Sequence, residues 1–123
     1  YKRQVVFGSD WFVSSGNPLL GIETAITRRD PLTNESEPFL DHQRIGLSAA
    51  LKAYTLNSAY INFNEHETGS VEVGKHADLI VLDKNLFDLK SSQISEASVL
   101  LTLIDGERVY GEWSLEPLGK TAL

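Results

Sequence analysis

The apolar residues of this chain change their spacing once, and this change limits the folds that the chain can form. In the first half they recur at helical intervals, as Leu19, Ile22 and Ile26 do. From Gly69 onward they alternate with polar residues or run together, as in residues 79–82, and both patterns are typical of β-strands. We therefore predict an α/β part that is followed by a β part.

The α/β part opens with a short apolar run, Val5-Val6-Phe7, which a Gly-Ser pair follows. An unbroken apolar run favours a strand that is buried on both faces, as in a parallel sheet, and the small residues after it let the chain turn away. Asp10 would then lie just past the carboxyl end of this strand. In α/β proteins that edge is where functional groups collect.

A first helix is predicted from Pro18 to about Thr27. Asn17 is suited to cap its amino end, and a proline suits the first helical position. Residues 28–38 are polar and contain two prolines, so we expect them to form a long surface loop.

A second helical region is predicted over residues 48–63. Ser48 follows the apolar Leu47 and is the expected N-cap of this region. Asn57 and Ser58 lie in its middle and predict a break into two shorter helices.

The β part carries strand signals that are separated by turn residues. Its clearest turn is Asp105-Gly106, since this pair tolerates the positive φ angles of a two-residue hairpin. Residues 112–123 are expected to be irregular. The predicted strands cover residues 71–73, 79–82, 99–104 and 108–110.

Length and charge exclude several classes of protein. The chain has 123 residues, whereas a complete TIM barrel needs about 250. Its formal net charge of -6 argues against a nucleic-acid partner, which would require a basic face. No apolar run approaches the roughly 20 residues of a transmembrane helix, so we expect no membrane partner. We expect the protein to be cytoplasmic.

Two residue types are missing from the sequence. The absence of Cys excludes disulfides, thiolate nucleophiles and zinc sites built on Cys. The absence of Met indicates that the sequence is not a complete primary translation product. We therefore expect the chain to be either a processed product or a piece cut from a longer protein.

Asp10 is the strongest candidate for chemistry. A carboxylate held just after a tight turn suits a ligand of a divalent metal or a general base, although at such a position an Asp that only caps the turn is the commoner outcome. Trp11 follows directly. It is expected either in the wall of a pocket or in packing beneath the sheet.

The three histidines, His42, His66 and His76, have a spacing that matches no compact metal motif. We expect each of them to be a solvated surface residue, and a three-histidine site assembled by folding is the alternative. The glutamates within residues 65–72 are expected to form a solvated connector between the two parts of the chain.

Four segments together resemble the amidohydrolase superfamily. Residues 6–11, VFGSDW, resemble its last barrel strand, and residues 53–59, AYTLNSA, resemble the helix that follows the barrel. Residues 69–83, GSVEVGKHADLIVLD, resemble strands of its small β-sandwich, and residues 100–110, LLTLIDGERVY, resemble the closing hairpin. The Gly-Ser-Asp-Trp string indicates the YtcJ-like branch, which is similar to N-substituted formamide deformylase.

This resemblance implies a fold. Residues 1–66 would be the carboxyl-terminal end of a (β/α)8 barrel, with its last strand and following helices. Residues 67–123 would belong to the small composite β-sandwich. Asp78 is matched within the family string, but it lies at a strand start and is expected to bind a turn.

The resemblance also implies an activity, namely metal-dependent hydrolysis of C–N bonds in small amide-type substrates. A divalent metal, with zinc expected, lowers the pKa of bound water so that hydroxide forms near neutral pH. Asp10 would contact the metal, accept the proton of the water and pass it to the leaving amine, and Trp11 would line the pocket. Phe12 stands where relatives often have Pro.

The family's metal-binding histidines lie on earlier barrel strands, which this chain does not contain. We therefore expect the chain to be a carboxyl-terminal part that binds no metal and is inactive alone. The alternative is a non-catalytic interaction module. Because residues 5–7 would lose their barrel neighbours and expose apolar edges, we expect a homo-oligomer in either case.

Overall fold

The computed structural model describes residues 4–33 and 37–112. Within them lie three α-helices and three strands, joined by loops and short 3₁₀ helices. The α-helices are α1 (Pro18–Thr27), α2 (Leu47–Tyr54) and α3 (Leu56–Ile61), the strands are β1 (Leu79–Leu82), β2 (Val99–Ile104) and β3 (Glu107–Gly111), and the 3₁₀ helices are Asp41–Gln43, Leu86–Asp88 and Ser91–Glu96.

Helix α1 begins at Pro18 and ends at Thr27, which confirms the predicted bounds. The Asn17 side chain accepts a hydrogen bond from the Leu19 amide at 3.0 Å, and Pro18 occupies the first turn. The helix ends at Arg28, which takes a left-handed conformation. Arg28 also closes the base of the following loop, because its carbonyl accepts the Phe39 amide and its Nε donates to the Phe39 carbonyl.

The second helical region divides into α2 and α3, as predicted, but both boundaries differ from the prediction. The region begins at Leu47 with Gly46 as N-cap, so Ser48 lies inside the first turn and its prediction as N-cap is wrong. The break falls at Thr55 rather than at Asn57 and Ser58. There the Thr55 and Ser58 hydroxyls bond to carbonyls of the preceding helix, which supports the chain where the helical ladder is interrupted.

The prediction of a strand over residues 5–7 is wrong for this structure, since they pair with none of the described strands. Their polar backbone groups bond to the helical region instead. The Phe7 amide donates to the Ala53 carbonyl at 3.1 Å, and the Asn57 side chain donates to the Val5 carbonyl at 2.8 Å. A buried parallel strand needs neighbouring strands to satisfy these groups, and the described residues offer it none.

The three strands form one antiparallel sheet in the order β1-β2-β3. The predicted hairpin is confirmed, because Asp105 and Gly106 both have positive φ angles, 51° and 80°. The Asp78 carboxylate accepts the Asp105 amide at 2.8 Å, as its expected role in binding a turn requires. The described residues thus show an antiparallel three-stranded sheet, while the barrel and the second sheet of a sandwich stay predictions.

The predicted strand at residues 71–73 is wrong. This segment leads into a turn in which the Lys75 amide donates to the Glu72 carbonyl and Gly74 has a φ of 97°. Val71 and Val73 are almost fully exposed there. Alternation of valine and polar residues is therefore not sufficient for a strand when no partner lies alongside.

The core lies between α1, α2 and the 3₁₀ helix Ser91–Glu96. Glu23 is fully buried in it, and its carboxylate accepts the Ser95 amide at 2.8 Å. This bond ties the helical part of the chain to the part that carries the sheet. The core cluster comprises Leu19, Ile22, Ile26, Ala50, Leu86, Ile94 and Ala97.

Candidate active site

Asp10 lies at the end of the extended segment that residues 53 and 57 hold in place. It has a φ of 47°, which is a left-handed conformation that Asp tolerates better than most residues. Its carbonyl accepts the Val13 amide at 2.7 Å and closes a tight turn. The carboxylate is exposed, so the turn presents it to solvent and to any group that lies opposite.

Trp11 and Phe12 form the body of this turn. Trp11 is 75% exposed and Phe12 is 85% exposed. Their rings meet edge to face, with centroids 6.1 Å apart and an interplanar angle of 89°. The peptide bond between them is cis. Of the two fates expected for Trp11, packing beneath the sheet is therefore wrong, because the described residues leave the indole open.

A cavity of about 470 Å³ lies beside this turn, on the exposed side of α1. Phe7, Gly8 and Tyr54 line its floor, and Arg28 lies among its walls. Burial raises the pKa of the Tyr54 hydroxyl. Neither Asp10 nor Trp11 is among the described residues that line it, so the cavity adjoins the candidate site without containing its carboxylate.

The three histidines lie apart. His42 is exposed in the 3₁₀ helix Asp41–Gln43, and His66 is exposed with its Nε2 at 3.7 Å from a Glu65 oxygen. His76 pairs with Asp105, Nδ1 to Oδ1 at 2.8 Å, and this hydrogen bond raises the pKa of its imidazole. The three-histidine alternative therefore finds no support in the described part of the chain.

The connector before the sheet is only partly solvated, which corrects the sequence interpretation. Lys75 is largely buried, and its ammonium donates to the Glu65 carbonyl and the Ser70 hydroxyl, each at 2.6 Å. Ser70, and then Lys75, lower the pKa of the exposed Glu72. The Glu65 Oε2 atom is buried without a hydrogen-bond partner among the described residues. The charge pattern did not indicate that Lys75 is buried, since one lysine in a charged stretch ordinarily faces water.

The described residues do not by themselves fit a catalytic metal. No cluster of three or more His, Cys, Asp or Glu side chains with suitable geometry occurs in residues 4–33 and 37–112. A catalytic zinc takes about three protein ligands, and Asp10 offers one exposed carboxylate. The remaining ligands of any metal at Asp10 would have to come from outside the described residues.

A carboxylate in a tight turn after an extended segment, followed by helices and an antiparallel hairpin, is the order of elements that the resemblance implies. The chain matches the family model described as "Amidohydrolase family" over residues 2–110. This chain belongs to the amidohydrolase family. The predicted resemblance to the YtcJ-like members of the superfamily is confirmed by the relatives that follow.

The chain is similar to three curated proteins. Over 86% of its length it is 38% identical to "Protein LONG AFTER FAR-RED 3" of Arabidopsis thaliana. Over 87% it is 32% identical to "N-substituted formamide deformylase" of Arthrobacter pascens. Over 84% it is 30% identical to "Putative amidohydrolase YtcJ" of Bacillus subtilis (strain 168). The chain spans about a fifth of the length of each relative, that is 18%, 19% and 20%.

Among solved structures, the chain is similar to an amidohydrolase from Thermotoga maritima. The identity is 32% and the TM-score is 0.49, over 58% of this chain and 17% of that one. Within the residues that the structure describes, none of the helices has both the length and the apolar character that a membrane crossing requires.

Proposed function

We propose that this chain is the carboxyl-terminal part of a metal-dependent amidohydrolase that cleaves C–N bonds in small amide-type substrates. The observation that carries the proposal is Asp10, an exposed carboxylate that lies in a tight turn and belongs to the VFGSDW segment of a chain shown to be a family member. The relatives support the reaction class, since two of the three are named as a deformylase and an amidohydrolase.

Asp10 is the acid–base group of this proposal. Its carboxylate takes a proton from the attacking water, and the same proton then moves to the nitrogen of the leaving amine as the C–N bond breaks. A positioned general base or acid contributes about 10²- to 10⁴-fold to such a reaction. Trp11 borders the substrate, because it follows Asp10 directly and its indole is open.

The metal is part of the proposal and is expected to be zinc. Its function would be to lower the pKa of the attacking water. Since the described residues supply only Asp10, we place the other ligands on polypeptide outside them. The chain alone should therefore bind no catalytic metal and hydrolyse no amide, and we place the complete enzyme in the cytoplasm.

An assay of the 123-residue chain with added zinc tests whether the site needs further polypeptide to bind metal and to hydrolyse amides. Simple amides and formamides are the substrates, and equilibrium dialysis measures the bound zinc. We expect neither turnover nor tight zinc binding. Turnover by the chain alone, abolished in an Asp10→Asn variant, would show that the site is complete without further polypeptide and would overturn the proposal.

A second candidate function is a non-catalytic interaction module, and the sheet supplies the observation that favours it. One face of the sheet carries four half-exposed large side chains, Ile80, Leu100, Ile104 and Tyr110. An apolar face of this kind is commonly covered by another sheet or chain. If the chain acts only as such a module, Asp10→Asn should leave the function of the complete protein unchanged.

A further inference from the structure

We propose that Asn57 is a positioning residue for Asp10, which acts through the segment of residues 5–7 and does not touch the substrate. The inference rests on the proposed function, because it assumes that Asp10 is the acid–base group of the complete enzyme. It goes beyond that function by assigning a part in catalysis to a residue of helix α3, which is distant from Asp10 in the sequence.

Asn57 binds the segment that leads to Asp10 by a hydrogen bond between distant parts of the chain. Its side-chain amide donates to the Val5 carbonyl at 2.8 Å, across 52 positions of the sequence. A second bond follows two residues later, where the Phe7 amide donates to the Ala53 carbonyl at 3.1 Å. The helical region thus supplies one donor and one acceptor to the segment, as a neighbouring strand otherwise would.

The break between α2 and α3 lies at the point where the segment is bound. Thr55 leaves the helical conformation there, with a φ of -120° and a ψ of -96°. The Ala53 carbonyl just before the break accepts the Ser58 hydroxyl at 3.0 Å as well as the Phe7 amide. Because a carbonyl oxygen has two lone pairs, both bonds can form at once. Ala53 therefore joins the two helices and the segment at one point, and Asn57 adds the second contact.

The turn that carries Asp10 begins directly after this segment. Only residues 8 and 9 separate Asp10 from Phe7, whose ring also meets the Tyr54 ring edge to face at 5.5 Å. A shift of the segment therefore passes to the carboxylate through a short stretch of backbone. A misplacement of about 1 Å at a reacting group can lower a rate by roughly 100-fold. The loss of the Asn57 hydrogen bond should therefore be visible in the rate of the chemical step.

The experiment uses the complete enzyme and compares two asparagines, with simple amides and formamides as substrates. Asn57→Ala removes the donor to the Val5 carbonyl. Asn62→Ala is the matched control, because the Asn62 side chain donates at the same distance, 2.8 Å, to the Ser58 carbonyl of the helix that it follows. We expect Asn57→Ala to lower kcat by about tenfold or more with little change in KM. Asn62→Ala should keep the wild-type kcat.

A double-variant cycle distinguishes a positioning role from a purely structural one. If Asn57 acts through Asp10, adding Asn57→Ala to an Asp10→Asn enzyme should lower kcat no further. Asn57→Gln keeps a side-chain amide donor and should recover part of the lost kcat. Asn57→Asp has the same shape, but its ionised carboxylate cannot donate, so kcat should stay low. Asn57→Asp also serves as the variant if Asn57→Ala does not fold. Thermal unfolding of each variant identifies a temperature at which all of them are folded, and kcat is compared there.

The possible failures are distinguishable. If folded Asn57→Ala keeps the wild-type kcat, or loses no more than Asn62→Ala does, the positioning role is overturned while the proposed function stands. If Asn57→Ala lowers kcat by the same factor with Asp10 and with Asp10→Asn, Asn57 acts independently of that carboxylate, and the positioning role is again overturned. If the wild-type enzyme hydrolyses no amide, the proposed function fails and this inference fails with it.

Discussion

Gly21 lies in the middle of α1, where glycine costs about 1 kcal/mol relative to alanine. The contact with Tyr54 explains its presence, because a Cβ at residue 21 would overlap the Tyr54 hydroxyl. The ring of Tyr54 in turn meets Phe7 edge to face at 5.5 Å. Gly21 therefore lets Tyr54 hold the segment that ends at Asp10.

We predict that Gly21→Ala lowers the free energy of unfolding by about 1–3 kcal/mol, the usual cost of overpacking, although helix propensity alone favours alanine. Tyr54→Phe removes the overlapping hydroxyl, so the double variant should recover part of the loss. Urea denaturation of the single and double variants measures this. A Gly21→Ala variant more stable than wild type would contradict the assignment.

For single residues, the sequence predicted local roles, such as capping a helix or forming a turn, better than it predicted which side chains are buried. The Asn17 cap, the Asp105-Gly106 turn and the turn-binding Asp78 follow from local chemistry, and the structure confirms all three. The burial of Glu23 was not predictable, since it depends on a partner far away in the chain, the Ser95 amide. The burial of Lys75 was not predicted either, although its partners Glu65 and Ser70 are near in sequence.

The β2–β3 hairpin is tied to the loop before β1 by the His76–Asp105 ion pair. Asp105 raises the pKa of His76, and the carboxylates of Asp78 and Glu67 add to this shift. A raised pKa in the folded state means that the pair stabilises fully below the unfolded value of about 6.5. This stabilisation is lost as pH rises through the higher folded pKa.

We therefore predict that this contribution to the free energy of unfolding falls as pH rises above the unfolded value of about 6.5 and through the higher folded pKa of His76. Asp105→Asn should weaken this dependence while keeping the turn, because asparagine also tolerates positive φ. His42→Asn is the control and should leave the dependence intact. An NMR titration showing the same His76 pKa in wild type and Asp105→Asn would refute the pairing.

The end of β3 depends on Gly111, which has a φ of 78° and lies directly against the Leu100 carbonyl. We predict that Gly111→Ala lowers the free energy of unfolding by more than Gly74→Ala does. Gly74 also has a positive φ, 97°, but a Cβ added there would meet no atom of the described residues within 4 Å. The difference between the two variants isolates the steric overlap, and thermal unfolding of both measures it. Equal losses of unfolding free energy in the two variants would contradict a steric role for Gly111.

Elements whose partners are near in sequence were predictable, and elements whose partners are distant were not. Strands β1, β2 and β3 and helix α1 lie where local patterns predict them. Residues 5–7 and 71–73 have strand-like composition, but they lack a neighbouring strand among the described residues. Strand formation is decided by pairing, and the local sequence does not specify it.

For the molecule as a whole, we predict self-association through the apolar face of the sheet. Burial of this face removes Leu100, Ile104 and their neighbours from water, at roughly 25 cal/mol per Å². Sedimentation of the 123-residue chain should show a dimer or larger species, and Leu100→Lys should shift it toward monomer. Val71→Lys, at an exposed valine outside the sheet, is the control. A monomer at all concentrations would contradict the prediction.

The candidate site was predictable only in part. Asp10 and Trp11 were assigned from their place after an apolar run and from the resemblance, and the structure places them together in one turn. The substrate and the other metal ligands were not predictable, because a hydrolase pocket is built from loops that are spread over the whole barrel. The domain boundary near residue 66 also stays a prediction.

The most direct test of the central claim is the turnover number of the complete enzyme with Asp10 and with Asp10→Asn. Metal content and thermal unfolding are measured on the same samples, so that loss of metal or fold is recognised. We predict that kcat falls by about 10²-fold or more while the fold is retained, as for the removal of an acid–base group. An Asp10→Asn enzyme with wild-type kcat would contradict the assignment of this carboxylate to the reaction.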